Sequence, residues 1–146
     1  MEVPGAQLKS IEVIGYCDFP GKGGGIELAG QRVGNRYYLY HGHFFAGGVS
    51  VIDVTDPANP EIVNFIPSPN EDTWHIKVRV ADDIMILPCE YAGFLPNRDK
   101  KRAVKGVRIF NAKNPLEPKE LGFWECGGNG VHRSWWNGGR YAYLTA

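Results

Sequence analysis

The chain has 146 residues, of which 43% are hydrophobic and 22% are charged, and its 16 Lys and Arg balance its 16 Asp and Glu. This composition is typical of a folded globular protein and gives no general attraction for nucleic acid or an anionic membrane. No apolar run reaches membrane-spanning length, and the N-terminus lacks the basic and apolar regions of a signal peptide.

The first predicted element is a strand over residues 10–16, which matches the outermost strands of later units and is interpreted as the outer strand of a preceding unit. A glycine-rich segment follows, over residues 17–25. A phosphate loop would need a Gly-x-x-x-x-Gly-Lys-Ser/Thr spacing between a strand and a helix, and this segment has neither. We therefore expect no nucleotide cofactor.

The rest of the chain contains an internal repeat. The pattern of residues 48–63 (GVSVIDVTDPANPEIV) recurs in residues 106–121 (GVRIFNAKNPLEPKEL). Each copy is a β-branched or aromatic strand, a turn with an Asx-Pro pair and a second proline, and another short strand. Proline pre-sets φ in turns, and the preceding Asp or Asn can bond its own backbone. Each copy is therefore predicted to be a β-hairpin.

Two further strand-like runs precede each hairpin, so a full unit has four strands. No segment of useful length has apolar residues at the 3.6-residue spacing of a helix. The sequence predicts an all-β fold, a partial β-propeller of four-stranded antiparallel blades. The expected units are the outer strand at 10–16, a first blade at 26–66, a second at 74–124 and the start of a third at 131–146. The first blade is predicted to have strands near 26–32, 37–41, 48–54 and 61–66, and the second near 75–80, 84–89, 106–111 and 119–124. Closure takes roughly 4–8 blades, so we expect the remaining blades to belong to a longer chain.

Two histidines begin the innermost strands of successive units, His75 in the second blade and His132 in the third. Innermost strands line the central channel of a propeller, so both imidazoles are expected near its axis. Imidazole is a ligand for iron, copper and zinc, which makes His75 and His132 candidate ligands of a transition metal. The alternative is a structural histidine that bonds neighbouring loops together.

The loops at the same end of the predicted blades carry further candidates. His41, His43 and Glu90 are predicted at the rim, where they could complete or orient a metal shell, although a solvated rim histidine is the alternative. Trp74, Trp135 and Tyr91 are candidate walls for a small-molecule ligand, although core packing is the favoured interpretation of the two tryptophans.

The connection over residues 88–105 is much longer than its counterpart in the first blade. A solvated surface loop is the simpler interpretation, and the alternative is a lid that guides an anionic ligand toward the axial face. The three cysteines are odd in number and show no Cys-x-x-Cys spacing, which indicates free thiols in a reducing compartment and a cytoplasmic protein. Nothing marks Cys89 as an activated nucleophile, so no catalytic residue is assigned.

The repeat GVSVIDVTDPANPEIV, with RYYLYHG before it, resembles the LVIVD-repeat β-propellers of bacteria over residues 26–146. The second copy departs from that motif, with Asn111 and Asn114 in place of aspartates. More distantly, the arrangement is similar to the selenium-binding-protein and methanethiol-oxidase propellers. That similarity implies a metal held by axial histidines.

Two functions follow as hypotheses. The first is a metal-dependent enzyme, an oxidoreductase acting on a small molecule, with His75 and His132 as metal ligands. The second is a non-catalytic propeller that binds a protein or a ligand through its loop face.

Overall fold

The computed structural model describes residues 11–146, and this part of the chain consists of antiparallel β-sheets without a helix. The prediction of an all-β chain is therefore confirmed. Within the same residues, no helix is long and apolar enough to cross a membrane. Residue 10 of the predicted outer strand lies outside the described residues, and residues 11–16 form no strand. That outer strand stays a prediction, because it was expected to pair with a strand of an earlier unit.

The first sheet contains four strands in the order of the chain. They are β1 (Gly25–Val33), β2 (Arg36–His43), β3 (Gly48–Asp53) and β4 (Glu61–Pro67). Each pairs antiparallel with the next, so the sheet is a simple meander. The predicted strands near 26–32, 37–41, 48–54 and 61–66 agree with it to within two residues at each end.

The second sheet has the same meander, except that its first strand is broken. Its strands are β5 (Thr73–Trp74), β6 (Arg79–Ala81), β7 (Ile84–Tyr91), β8 (Gly106–Asn111) and β9 (Lys119–Glu125). Both β5 and β6 pair with β7, and the residues between them, 75–78, leave the ladder. The prediction of one continuous strand over residues 75–80 was wrong at this break. A third element, the hairpin of β10 (Arg133–Trp135) and β11 (Tyr143–Thr145), follows.

The two copies of the repeat fold alike. Asp53 accepts a hydrogen bond from the Thr55 amide at 2.9 Å, and Asn111 accepts the equivalent bond from the Lys113 amide at 2.9 Å. Both copies also skip one residue of register on the outer strand, opposite Val51–Ile52 and Ile109–Phe110. Asparagine therefore replaces aspartate in this turn without changing its geometry, because either side chain offers the accepting oxygen.

Both copies begin with a glycine at positive φ, Gly48 at 155° and Gly106 at 150°. A Cβ at Gly48 would meet the Ile66 carbonyl oxygen at 2.7 Å, and one at Gly106 would meet that of Trp124 at 1.9 Å. Each hairpin thus requires glycine here, both for backbone conformation and for space.

The core lies between the faces of successive sheets. Tyr40 and Val51 of the first sheet pack against Met85, Leu87 and Phe110 of the second. Alternate residues of a strand point to opposite faces, so β7 is buried on both sides.

On the other face of the second sheet, Ile86 and Val107 pack against Val131 and Trp136 beside the β10–β11 hairpin. The second sheet is therefore sandwiched between the first sheet and the third element.

Replacing Leu87 by alanine tests this arrangement. Leu87 is fully buried between the first two sheets, so Leu87→Ala should lower the free energy of unfolding by about 2–5 kcal/mol. The matched control is Leu121→Ala on the exposed face of β9, which should change it by about 0.5 kcal/mol or less. Urea denaturation of both variants measures the difference, and equal losses would contradict the stacked-sheet core.

Candidate functional site

His75 lies in the break between β5 and β6, where it is fully buried between the first two sheets. Its Nε2 donates to the Ile66 carbonyl of β4 at 3.0 Å, and Arg108 Nη1 donates to its Nδ1 at 3.1 Å. Arg108 also donates to the Pro67 carbonyl at 3.1 Å and forms an ion pair with Glu120 at 2.8 Å. These bonds fix the Nε2–H tautomer and link the two sheets.

The pKa of His75 is lowered to about 4, chiefly by burial and in part by the Arg108 guanidinium, while the Ile66 carbonyl and Glu120 oppose the shift. The ring is therefore neutral near pH 7. Both ring nitrogens already have protein partners, and a guanidinium lies beside them. A metal ion at His75 would have to displace these contacts, so the geometry favours the structural role that the sequence left open.

The pH dependence of stability tests this interpretation. The folded pKa of His75 lies below its ordinary value of 6.5, so the unfolded chain binds more protons between about pH 6.5 and about pH 4. Stability should fall as pH falls through that window, by on the order of 3 kcal/mol across it. Urea denaturation of His75→Gln at a series of pH values should show that its free energy of unfolding falls less steeply with falling pH than that of the unaltered chain. An unchanged slope would contradict the buried neutral ring.

His132 precedes β10, and its side chain is 48% exposed. Its Nδ1 lies 2.7 and 2.8 Å from the two carboxylate oxygens of Glu90. The ammonium of Lys77 lies 3.7 Å from Glu90 and 3.3–3.4 Å from the two ring nitrogens. His132 and Glu90 therefore belong to one cluster of titratable groups, which also includes Lys77.

The structure gives His75 and His132 no common hydrogen-bond partner. Residues 11–146 contain no group of three or more His, Cys, Asp or Glu side chains arranged to hold a metal ion. The metal site was expected to draw further ligands from other blades. It therefore stays a prediction.

The two rim histidines lie at the end of β2. His43 is buried, with Nδ1 2.8 Å from the Lys22 carbonyl and Nε2 2.8 Å from the Ser50 hydroxyl, so it anchors the glycine-rich segment to the sheet. His41 stacks on Phe19 at 4.7 Å and lines an apolar cavity of about 460 Å³ under residues 15–19. Burial lowers the pKa of both histidines.

A second cavity, of about 320 Å³, opens where three loops meet. We call it the loop-face pocket, and it is formed by residues 45–47 after β2, by the connection from β4 to β5, and by the long loop over residues 92–105. Its lining includes Phe45, Ser68, Glu71, Trp74, Leu95 and Arg98. Of the three residues predicted to wall a ligand, Trp74 lines this pocket.

Hydrogen bonds hold the long loop over this pocket. The buried Asp72 carboxylate accepts the Asp99 amide at 2.7 Å and pairs with Arg102 at 2.8 Å, and the Asp99 bond is the main cause of its lowered pKa. Thr73 accepts the Val104 amide at 2.8 Å.

Tyr91, the other wall residue proposed beside the tryptophans, supports the loop by donating to the Arg98 carbonyl at 3.0 Å. The loop is thus fixed along its length.

Two donors that line the loop-face pocket lack acceptors among the described residues. Trp74 is only 3% exposed and its indole Nε1 has no partner, and the buried Nε of Arg98 has none either. The Trp74 ring is packed between Phe44 at 4.5 Å and Phe94 at 5.6 Å. Each unsatisfied buried donor costs about 1–3 kcal/mol, so an acceptor brought to either nitrogen would be favourable.

A third cavity, the inner cleft, lies along the first strand of each successive unit and holds about 370 Å³. Its polar lining includes Glu27 of β1, Lys77 and Arg79 near β6, and Arg133 of β10. Glu27 pairs with Arg79 at 2.7 Å and accepts the Val78 amide at 3.0 Å, which joins β1 to the second sheet.

Trp135, the remaining predicted wall residue, lines this cleft and lies 6.0 Å from the guanidinium of Arg79. The first strands of three successive units therefore face one common space.

Comparison with known proteins gives no match: neither protein-family models, curated proteins nor solved structures match the chain. The resemblance to LVIVD-repeat propellers stays a prediction.

Proposed function

We propose that the chain is part of a β-propeller that binds a small carboxylate-bearing molecule in its loop-face pocket. The observation that carries the proposal is the pair of buried, unpartnered donors, Trp74 Nε1 and Arg98 Nε. Binding there corresponds to the scaffold hypothesis derived from the sequence.

The arrangement of the sheets supports the propeller. Successive four-stranded meanders stack face to face, and the β10–β11 hairpin covers the next face. The first strand of each unit borders the inner cleft, as the innermost strands of blades border a central channel.

The donors determine the chemistry of the ligand. Indole and guanidinium nitrogens can only donate, so the ligand must bring accepting oxygens. Arg98 uses Nη1 toward the Pro96 carbonyl at 3.3 Å and toward Glu71 at 3.7 Å. Its Nε–Nη2 edge has no acceptor among the described residues, and that edge matches the two oxygens of a carboxylate.

The apolar lining determines the rest of the ligand. Phe45, Trp74 and Leu95 offer a surface for a flat hydrocarbon body. Phe94 stacks on Trp74 and is 81% exposed, so its ring is free to swing outward and admit the ligand. In this proposal the Phe94 side chain is the moving part, and the backbone of the long loop stays in place.

The metal-dependent oxidoreductase remains a second candidate, favoured by one contact. A metal-binding histidine commonly donates its other ring N–H to a carboxylate, as His132 can to Glu90. The Lys77 ammonium 3.4 Å from His132 Nε2 opposes a cation there. Elemental analysis of the purified protein separates the two functions, because only the enzyme requires a stoichiometric metal.

Phenylacetate is a suitable probe for the loop-face pocket. Adding it to the ¹⁵N-labelled chain should shift the indole N–H resonance of Trp74, which is identified by its loss in Trp74→Phe. Phenylacetamide has the same ring and no charge, and should bind at least about ten-fold more weakly, since hydrogen bonds to charged groups contribute roughly 1.5–3 kcal/mol.

Two arginine variants complete this test. Arg98→Gln should weaken phenylacetate binding by about ten-fold or more. Arg32→Gln, which removes an arginine of β1 outside the pocket, should leave it unchanged. The proposal fails if the Trp74 resonance does not move, or if both variants bind as the unaltered chain does.

A further inference from the structure

We propose that Asn137 is a self-modifying residue, whose side chain forms a succinimide with the backbone nitrogen of Gly138 and then opens to aspartate or isoaspartate. The chain contains two Asn-Gly pairs, Asn129–Gly130 and Asn137–Gly138, and the structure protects only the first of them. This site is separate from the loop-face pocket and does not depend on the function proposed there.

The reaction requires an asparagine whose following amide nitrogen can reach the side-chain carbonyl. The Gly138 nitrogen bonds to the side-chain carbonyl carbon of Asn137, and the side-chain nitrogen leaves as ammonia with the amide proton of Gly138. Water then opens the five-membered ring at one of its two carbonyls, which gives aspartate or isoaspartate. One asparagine and one water give one acid and one ammonia, so no oxidant or reductant is needed. Glycine suits this step because it has no side chain to restrict the backbone.

The peptide unit that joins Asn129 to Gly130 is held on both sides. Its carbonyl oxygen accepts the Tyr91 amide at 2.7 Å, and its N–H donates to the Gly127 carbonyl at 3.2 Å. Gly130 is also buried and forms an isolated β-bridge with Glu90. The Gly130 nitrogen would have to lose these contacts before it could turn toward the Asn129 side chain, so this pair is protected while the chain is folded.

The peptide unit that joins Asn137 to Gly138 is free. Neither its carbonyl nor its N–H has a hydrogen-bond partner among the described residues, and Asn137 is exposed. The bonds of this turn lie one residue later, where the Gly139 amide donates to Asp82 at 2.7 Å and the Gly139 carbonyl accepts Trp136 Nε1 at 3.2 Å. The Gly138 nitrogen can therefore turn toward the Asn137 side chain without losing a hydrogen bond.

The position of the turn in the fold keeps it accessible. It joins β10 to β11, as residues 34–35 join β1 to β2 and residues 82–83 join β6 to β7, and all three turns are exposed. Turns between the first and second strands of a meander lie at the opposite end from the loops that form the loop-face pocket. A ligand in that pocket would therefore leave the reaction at Asn137 unaffected.

The modification should loosen the third element from the second sheet. Isoaspartate adds a methylene to the backbone, and either product places a new carboxylate near Asp82, which repels it. The turn has no spare room there, since a Cβ at Gly138 would lie 2.6 Å from an Asp82 carboxylate oxygen. A shift of Gly139 would break its bonds to Asp82 and to Trp136, whose ring packs against the second sheet.

Hydroxylamine cleaves a chain wherever a succinimide has formed, so it reports the reaction at both pairs in one experiment. In the folded 146-residue chain, the fragment ending at Asn137 should form at least about ten-fold faster than the fragment ending at Asn129, because hydrogen bonds hold only the second pair in place. In concentrated urea, which frees both pairs, this difference should largely disappear. Asn137→Gln should remove the first cleavage, and Asn129→Gln should leave it unchanged.

Hydrogen exchange tests the consequence for the fold. After incubation at mildly alkaline pH, the chain that mass spectrometry shows to carry isoaspartate at residue 137 should exchange the amides of β11 faster than fresh protein does. Asn137→Gln incubated in the same way should exchange them as fresh protein does. Equal cleavage at both pairs in the folded chain, or cleavage at residue 137 in urea alone, would overturn the proposed site. Unchanged exchange in the modified chain would overturn the proposed loosening.

Discussion

The structure depends on the hydrogen bonds of one buried imidazole. His75 donates to the Ile66 carbonyl at the end of the first sheet and accepts from Arg108 of the second. Burial without these bonds would leave polar groups unsatisfied, and their presence fixes how the two sheets are joined. The apolar cluster between the sheets contributes most of the burial, and His75 sets the position of the backbone at its edge.

Both the loop-face pocket and the inner cleft border the break in the strand that His75 occupies. Trp74, one residue before it, turns to the loop-face pocket, and Lys77, two residues after it, turns to the inner cleft. A continuous strand would have paired residues 75–78 with β7. Instead, residues 75–78 leave the ladder, the indole nitrogen of the neighbouring Trp74 has no acceptor among the described residues, and Lys77 pairs with Glu90 at 3.7 Å.

Local pattern was enough to predict the strands and the repeat. The turns with Asp53 and Asn111, and the glycines at 48 and 106, act through neighbours in sequence, and the structure agrees with them. The break at residues 75–78 was missed, because Ile76 and Val78 alternate as a strand does. Arg98 and Arg108 come from distant segments of the chain. No local pattern predicted that Arg98 would line the same pocket as Trp74, or that Arg108 would bond to His75. The axial metal site was expected to draw further ligands from other blades and stays a prediction.

The protonation state of His75 tests the central claim most directly. Long-range ¹H–¹⁵N spectra of the histidine rings, with His75 identified by its loss in His75→Gln, report both the tautomer and the titration of this residue. The structure predicts an Nε2–H tautomer, because the ring donates to Ile66 and accepts from Arg108. It predicts a pKa of about 4, chiefly because the ring is buried. Titration near the ordinary value of 6.5, or an Nδ1–H tautomer, would contradict the account.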